Sequence, residues 1–159
     1  MNKSDLLKEI IAALAENLAV LDKAARASHF EATHESSKAE SKYDTRGLEA
    51  AYLAGGQARA AKEIVDSIKA FEKLQVRNFA KGEPIDLTAL VELKTDGSPS
   101  TYLIGPKSGG LEITFKKKEI IVITPQSPLG ENIMGKKAGD RWTAQIGGSK
   151  VKYEITSVQ

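Results

Sequence analysis

No cysteine occurs among the 159 residues, which removes a disulfide framework, a thiolate metal site and thiol catalysis together. Histidine is nearly as scarce. His29 and His34 are the only two; five positions apart, they point in different directions on a helix, and no HExxH pattern contains them. That argues against a zinc site, and with no histidine in the second half a Ser–His–Asp triad has no base. Apolar runs are short: none approaches the length of a membrane span, and no charged-then-apolar leader opens the chain, so a cytoplasmic protein is expected. A strong charge of one sign is also missing. Residues 1–80 carry 12 Lys+Arg against 12 Asp+Glu, and residues 81–159 carry 11 against 9. Neither half is basic enough to hold nucleic acid by phosphate contacts alone. What remains, 41% hydrophobic with 28% charged residues, describes a soluble globular protein with room for one ordinary domain or two small ones.

The first half is rich in alanine and periodic. Leu7, Ile11, Leu14, Leu18, Leu21, Ala25, Ser28 and Ala32 recur at steps of three and four, and so do Gly47, Ala51, Ala54, Ala58, Ala61, Val65 and Ile68. This is the seam spacing of a coiled coil. The two series mirror each other about position 36, so Leu14 faces Ala58 and Leu18 faces Ala54. Large residues meet small ones, which lets two antiparallel helices approach closely. Ser4 is the expected N-cap of the first helix, which runs to about His34; the second runs from about Lys38 to about Asn78. Between them the chain reverses, with Ser37 and Glu40 at capping-box spacing. The expected hairpin covers residues 1–80 with its tip near 34–41. Glu35, Ser36, Ser37, Glu40 and Asp44 are the tip candidates. Carboxylates at the end of a projection can hold a hard cation such as Mg²⁺ through one or two oxygens, with the other ligands supplied by a partner.

Gly82-Glu83-Pro84 ends the helical part, and a second domain is expected over 81–159. There the alternation has period two: Leu87 to Leu93, Thr101 to Ile104, Leu111 to Phe115 and the nearly continuous apolar run Glu119 to Thr124 read as strands. Trp142, Ala144 and Ile146 alternate inward, Gly147-Gly148 turn, and Val151, Tyr153 and Ile155 alternate back. Ser127 caps one short helix, with Pro128 at its first position and Gly135 at its end. Gly105 to Gly110 has phosphate-loop letters but the wrong spacing and no following helix. Lys116-Lys117-Lys118 reads as a solvated strand edge, with a polyanion contact as the alternative. The fold class is α+β: a helical hairpin followed by a small antiparallel sheet with one short helix.

The segment Ile123-Thr124-Pro125-Gln126-Ser127-Pro128-Leu129-Gly130, continuing through Ile133-Met134-Gly135-Lys136-Lys137-Ala138-Gly139-Asp140, resembles the bacterial GreA/GreB transcript-cleavage factors. The terminal hairpin and the coiled-coil half extend the resemblance over essentially the whole chain. It implies an FKBP-like second domain that docks on RNA polymerase, and a hairpin that enters the polymerase secondary channel. The family tip carries an Asp and then a Glu-Asn pair before a Tyr. Here Ser36 or Ser37 stands at the Asp position, Glu35 is the nearest carboxylate, and Glu40-Ser41 stands for Glu-Asn ahead of Tyr43.

The expected function is therefore a transcription elongation regulator, a monomer with RNA polymerase as partner and only indirect contact with transcript or DNA. It is not an enzyme, since cleavage would belong to the polymerase. No cofactor is stably bound, and Mg²⁺ is at most shared with the polymerase active site. The docking candidates are Ser127, Pro128, Leu129, Ile133 and Met134. Two alternatives are a Gre-like channel inhibitor without cleavage activity, and a peptidyl-prolyl isomerase or chaperone module, the latter suggested by the implied fold alone.

Overall fold

Asn2, two residues ahead of the expected N-cap Ser4, begins the first helix. Its side-chain oxygen accepts the amide of Ser4 at 3.1 Å, and its carbonyl accepts the amide of Leu6 at 3.2 Å. In this computed structural model, which describes residues 1–33 and 46–159, helix α1 spans Lys3–Thr33 and helix α2 spans Arg46–Glu72. The side chains at 25, 28–33 and 46–55 fall outside that description. At about 1.5 Å per residue α1 reaches about 45 Å. The α2 backbone runs unbroken through Gly55-Gly56 and stops at Glu72, six residues before the expected end at Asn78. Leu74 bonds back to the Phe71 carbonyl at 3.2 Å, and the chain then turns into an irregular segment that buries Phe79.

Two compact units result: Met1–Ile10 together with Ala70–Gln159, and Ile11–Lys69. The sheet unit thus takes in the first ten residues and Ala70–Ala80, which the expected 1–80 hairpin included. Lys3 shows why. Its ammonium, on a 4% exposed residue, donates to the carbonyls of Arg77 at 2.7 Å and Thr88 at 3.0 Å. It also lies 4.7 Å from the centre of the Phe79 ring, over which the Arg77 guanidinium packs at 4.3 Å. Burial, and secondarily the Arg77 charge, lower its pKa from 10.5 to about 8. Thr88, at φ 71, is a β-branched residue in the left-handed region. Its hydroxyl accepts the Arg77 amide at 3.3 Å and its amide bonds the Ile104 carbonyl at 2.9 Å.

Within the helical unit the expected seam positions Ala61, Val65 and Ile68 on α2 are half-buried, as are Leu18 and Leu21 on α1, and Leu14 is buried. Ala58 departs from the expected register: it is exposed, whereas its neighbour Gln57 and Ala60 are half-buried. Neighbouring alanines are equally small, so side-chain size alone does not choose which of them faces inward. Gly47, Ala51 and Ala54, and the chain reversal itself, lie outside the described side chains.

The second half folds as six strands, β1 Leu90–Thr95, β2 Ser98–Ile104, β3 Glu112–Phe115, β4 Lys118–Ile123, β5 Arg141–Ile146 and β6 Ser149–Val158, with helix α3 Pro128–Ile133 after β4. Their order in the sheet is β3-β4-β2-β1-β6-β5. All pairs are antiparallel except β2·β4, where Leu103 pairs Val122 in parallel. Loop 105–111 carries the chain past the β4 position, and β3 then hairpins back into the gap beside β2. Alternation reports which face a residue takes but not the direction of the neighbouring strand. One face carries Val91, Leu93, Ile104, Ile123 and Ile155, closed by Phe79, Ile85 and Ile133 of α3. The opposite face buries Leu90, Leu103, Ile120 and Val122. Full burial of each such side chain contributes about 1.5–3 kcal/mol. Ile146, expected inward, is 55% exposed, because the hairpin tip extends past the core.

Candidate docking surface

Helix α3 is short, and its position is held by bonds at both ends. The Ser127 hydroxyl donates to the Thr124 carbonyl at 2.8 Å and accepts the Gly130 amide at 3.1 Å. Ser127 itself is extended, φ −67 and ψ 154, as an N-cap requires, and Pro128 at the first helical position gives up no needed donor. Gly130 is obligatory on grounds of space: a Cβ there would stand 1.8 Å from the Thr124 carbonyl oxygen. At the other end Gly135, at φ 78, donates to the Ile85 carbonyl at 2.9 Å, and the Ile85 amide returns to the Lys136 carbonyl at 2.7 Å. The helix is clamped between Thr124 and Ile85.

The five residues expected to dock divide accordingly. Pro128 is exposed and Ser127 half-buried by its capping bonds. Leu129 and Met134 are half-buried, each with one side packed on the core. Ile133 is wholly buried; it supports the surface from beneath and cannot touch a partner. Glu131 and Asn132 were not anticipated, yet both are exposed. They follow Pro128 at helical spacings of three and four, the signal that would have found them. The patch continues toward β5 through Lys136, whose ammonium lies 5.1 Å from the centre of the Trp142 ring. Trp142 stacks on Tyr153 with centroids 5.2 Å apart.

The tip candidates Glu35, Ser36, Ser37, Glu40 and Asp44 lie outside the described residues. Among the described residues no three His, Cys, Asp or Glu side chains are grouped to hold a metal ion, and no helix is long and apolar enough to cross a membrane.

Residues 84–159, from the segment before β1 to the end of β6, match the family model of the transcription elongation factor GreA/GreB C-terminal domain. This segment belongs to the GreA/GreB family. Its start at Pro84 means that the GreA/GreB domain includes both clamps on α3, at Thr124 and at Ile85. No curated protein matches the chain. Among solved structures, the GreA factor homolog 1 (Gfh1) of Thermus thermophilus is 22% identical over 98% of this chain and 93% of that one, with a TM-score of 0.37. Gfh1 of Thermus aquaticus is also 22% identical, over 98% and 92%, at 0.38. A GreA/GreB factor from Nitrosomonas europaea is 16% identical over 60% and 78%, at 0.33. These whole-chain likenesses are weak, and the assignment rests on the GreA/GreB domain.

Proposed function

We propose that this chain is a transcription elongation regulator that docks on RNA polymerase through the GreA/GreB domain and presents the helical hairpin to the polymerase secondary channel. The observation that carries the reading is the family match over residues 84–159. It is supported by the α3 surface, where Pro128, Glu131 and Asn132 stand exposed on a helix fixed at both ends. A surface fixed in advance loses little entropy on binding.

In this reading the chain performs no chemistry of its own. Its tip brings Glu35 and Glu40 near the polymerase active site, where a divalent cation supplies Lewis acidity to phosphodiester cleavage. Two carboxylates fit a shared Mg²⁺, because that ion accepts a few protein oxygens and keeps water for the rest. Without such a contact the same hairpin would occlude the channel.

The test begins with capture of core RNA polymerase on the immobilised protein. Pro128→Ala combined with Glu131→Lys, both on exposed positions, should weaken capture about tenfold with the circular dichroism spectrum unchanged. Capture by the wild type and the double variant alike would overturn the α3 assignment; no capture by the wild type would overturn the whole reading. On a backtracked complex with Mg²⁺, stimulated cleavage that Glu35→Ala or Glu40→Ala abolishes identifies the tip carboxylates. Slowed nucleotide addition without cleavage identifies occlusion.

A further inference from the structure

The two edges of the sheet differ in what they leave open. Strand β3 has four residues and is followed at once by Lys116-Lys117-Lys118, a charged edge of the kind that discourages strand pairing. Strand β5 has six residues and pairs only with β6. Among the described residues, no backbone group of Arg141–Ile146 bonds outside that ladder. The parity of the edge follows from the turn. A two-residue turn closes on a hydrogen-bonded pair, here Ile146 with Ser149, and bonded pairs then alternate. Ala144 and Trp142 therefore bond to β6. The N–H and C=O groups of Arg141, Thr143 and Gln145 face away from it. The bond from Ile155 to the Asp140 carbonyl at 2.9 Å agrees with this parity.

The two faces beside this edge have opposite chemistry. Trp142, Ala144 and Ile146 lie on one, apolar and only partly covered. On the other, Thr143 pairs with Lys152 and Gln145 with Lys150, and Arg141 bonds Glu154 at 2.7 Å. A groove of about 460 Å³ opens on that side, where Lys94, Arg141 and Lys152 stand against the carboxylates Asp96 and Glu154. Over residues 136–154 there are five cations and two carboxylates, and one of those carboxylates, Glu154, is already paired.

We infer that the open edge of β5 accepts an extended segment of a partner protein in which acidic and apolar residues alternate. Its backbone would bond the three outward peptide groups. Its apolar side chains would lie beside Trp142, Ala144 and Ile146, and its carboxylates beside Lys150 and Lys152. This is strand addition, in which the main chain supplies affinity and alternate side chains supply specificity. It does not depend on polymerase docking, and its test contains no polymerase.

Trp142 is the single tryptophan of the chain, so its fluorescence reports on this strand. The probe is a capped ten-residue peptide alternating glutamate and valine, with its lysine–valine counterpart as control. The glutamate peptide should give a saturable change in Trp142 emission, and the lysine peptide should bind at least tenfold more weakly. Thr143→Pro deletes an outward N–H, a change that an edge strand tolerates, and should abolish binding while the thermal transition is kept. Should that variant fail to fold, Lys150→Glu with Lys152→Glu on the exposed face tests the same point and should lower affinity at least tenfold. Equal binding of the two peptides, or binding unaffected by these variants, would overturn the inference. So would a dimer in sedimentation that Thr143→Pro dissolves, since the edge would then belong to a second copy of the chain.

Discussion

The hairpins β3–β4 and β5–β6 close opposite ends of the same sheet with turns of the same kind and quite different residues. Gly147 and Gly148 sit at φ 58 and 81, while Lys116 and Lys117 sit at φ 50 and 66. Both pairs occupy the left-handed region that a two-residue hairpin demands. Glycine adopts it freely, and an L-residue with a side chain does so at a cost of about 1–2 kcal/mol. In the lysine hairpin that cost is set against other contacts. Lys118 forms an ion pair with Glu92 on β1, the Lys116 ammonium lies 5.4 Å from the centre of the Phe115 ring, and Phe115 and Ile113 are buried beneath. A two-residue turn therefore needs no glycine if its flanking strands are held firmly enough.

The sharpest break of the comparison is at β5 itself. Ala144→Pro removes a donor bonded to β6 and should destabilise the hairpin by about 3 kcal/mol or more, whereas Thr143→Pro, one residue away, should change stability by less than about 1 kcal/mol. Urea unfolding measures both, and equal losses would show that the parity of the edge is wrong. Next in size, Gly147→Ala should cost about 1–2 kcal/mol, because it imposes on the glycine turn the strain that the lysine turn already carries. The converse, Lys117→Gly, should stabilise by at most about 1 kcal/mol, since glycine relieves the positive φ but adds freedom to the unfolded chain. A loss of stability there would mean that the Lys117 side chain makes contacts worth more than its strain. Smallest of all is Trp142→Phe. The indole Nε1 is buried with no acceptor among the described residues. Removing such a donor recovers about 1–3 kcal/mol, against the area lost from the stack on Tyr153. A shift in melting temperature of more than a few degrees either way would show that one of the two dominates.

These hairpins also show what was legible in the sequence. Gly147-Gly148 between alternating runs identified its own turn, and Ser127, Pro128 and Gly135 marked both ends of α3. Lys116-Lys117 carried no turn signal, because nothing in two lysines demands positive φ; only the packing of Ile113 and Phe115 forces it. The parallel pairing of β2 with β4 was hidden for a related reason, since alternation does not encode direction. In the helices, the places of Leu14, Val65 and Ile68 were clear from their size, while Ala58 and Ala60 are indistinguishable by size, and it is Ala60 that is half-buried. The end of α2 at Glu72 was masked by Leu74 and Val76, which continue the apolar pattern beyond the helix. The exposure of Pro128 could be read from its position. The burial of Ile133 could not, because a six-residue helix has no face that the sequence alone can orient.

The buried ammonium of Lys3 has a consequence for how the molecule responds to alkali. Its pKa is about 8 when folded against 10.5 in the open chain, so between those values the unfolded state holds a proton that the folded state lacks. Stability from this group therefore rises with pH across that window. Below pH 8 both states are charged and the burial penalty is fully present; above 10.5 it is gone. Folding in mildly alkaline solution expels a proton, even though the ammonium it gives up bonds two carbonyls. Urea midpoints of the wild type measured against Lys3→Met at pH 7.5 and pH 9.5 should move apart in favour of the wild type as pH rises. A constant difference would mean that the ammonium keeps its proton within the fold. The charge on the residue that ties the first turn of α1 to the sheet unit thus weakens that tie at neutral pH, relative to the neutral amine, and the weakening is gone in alkali.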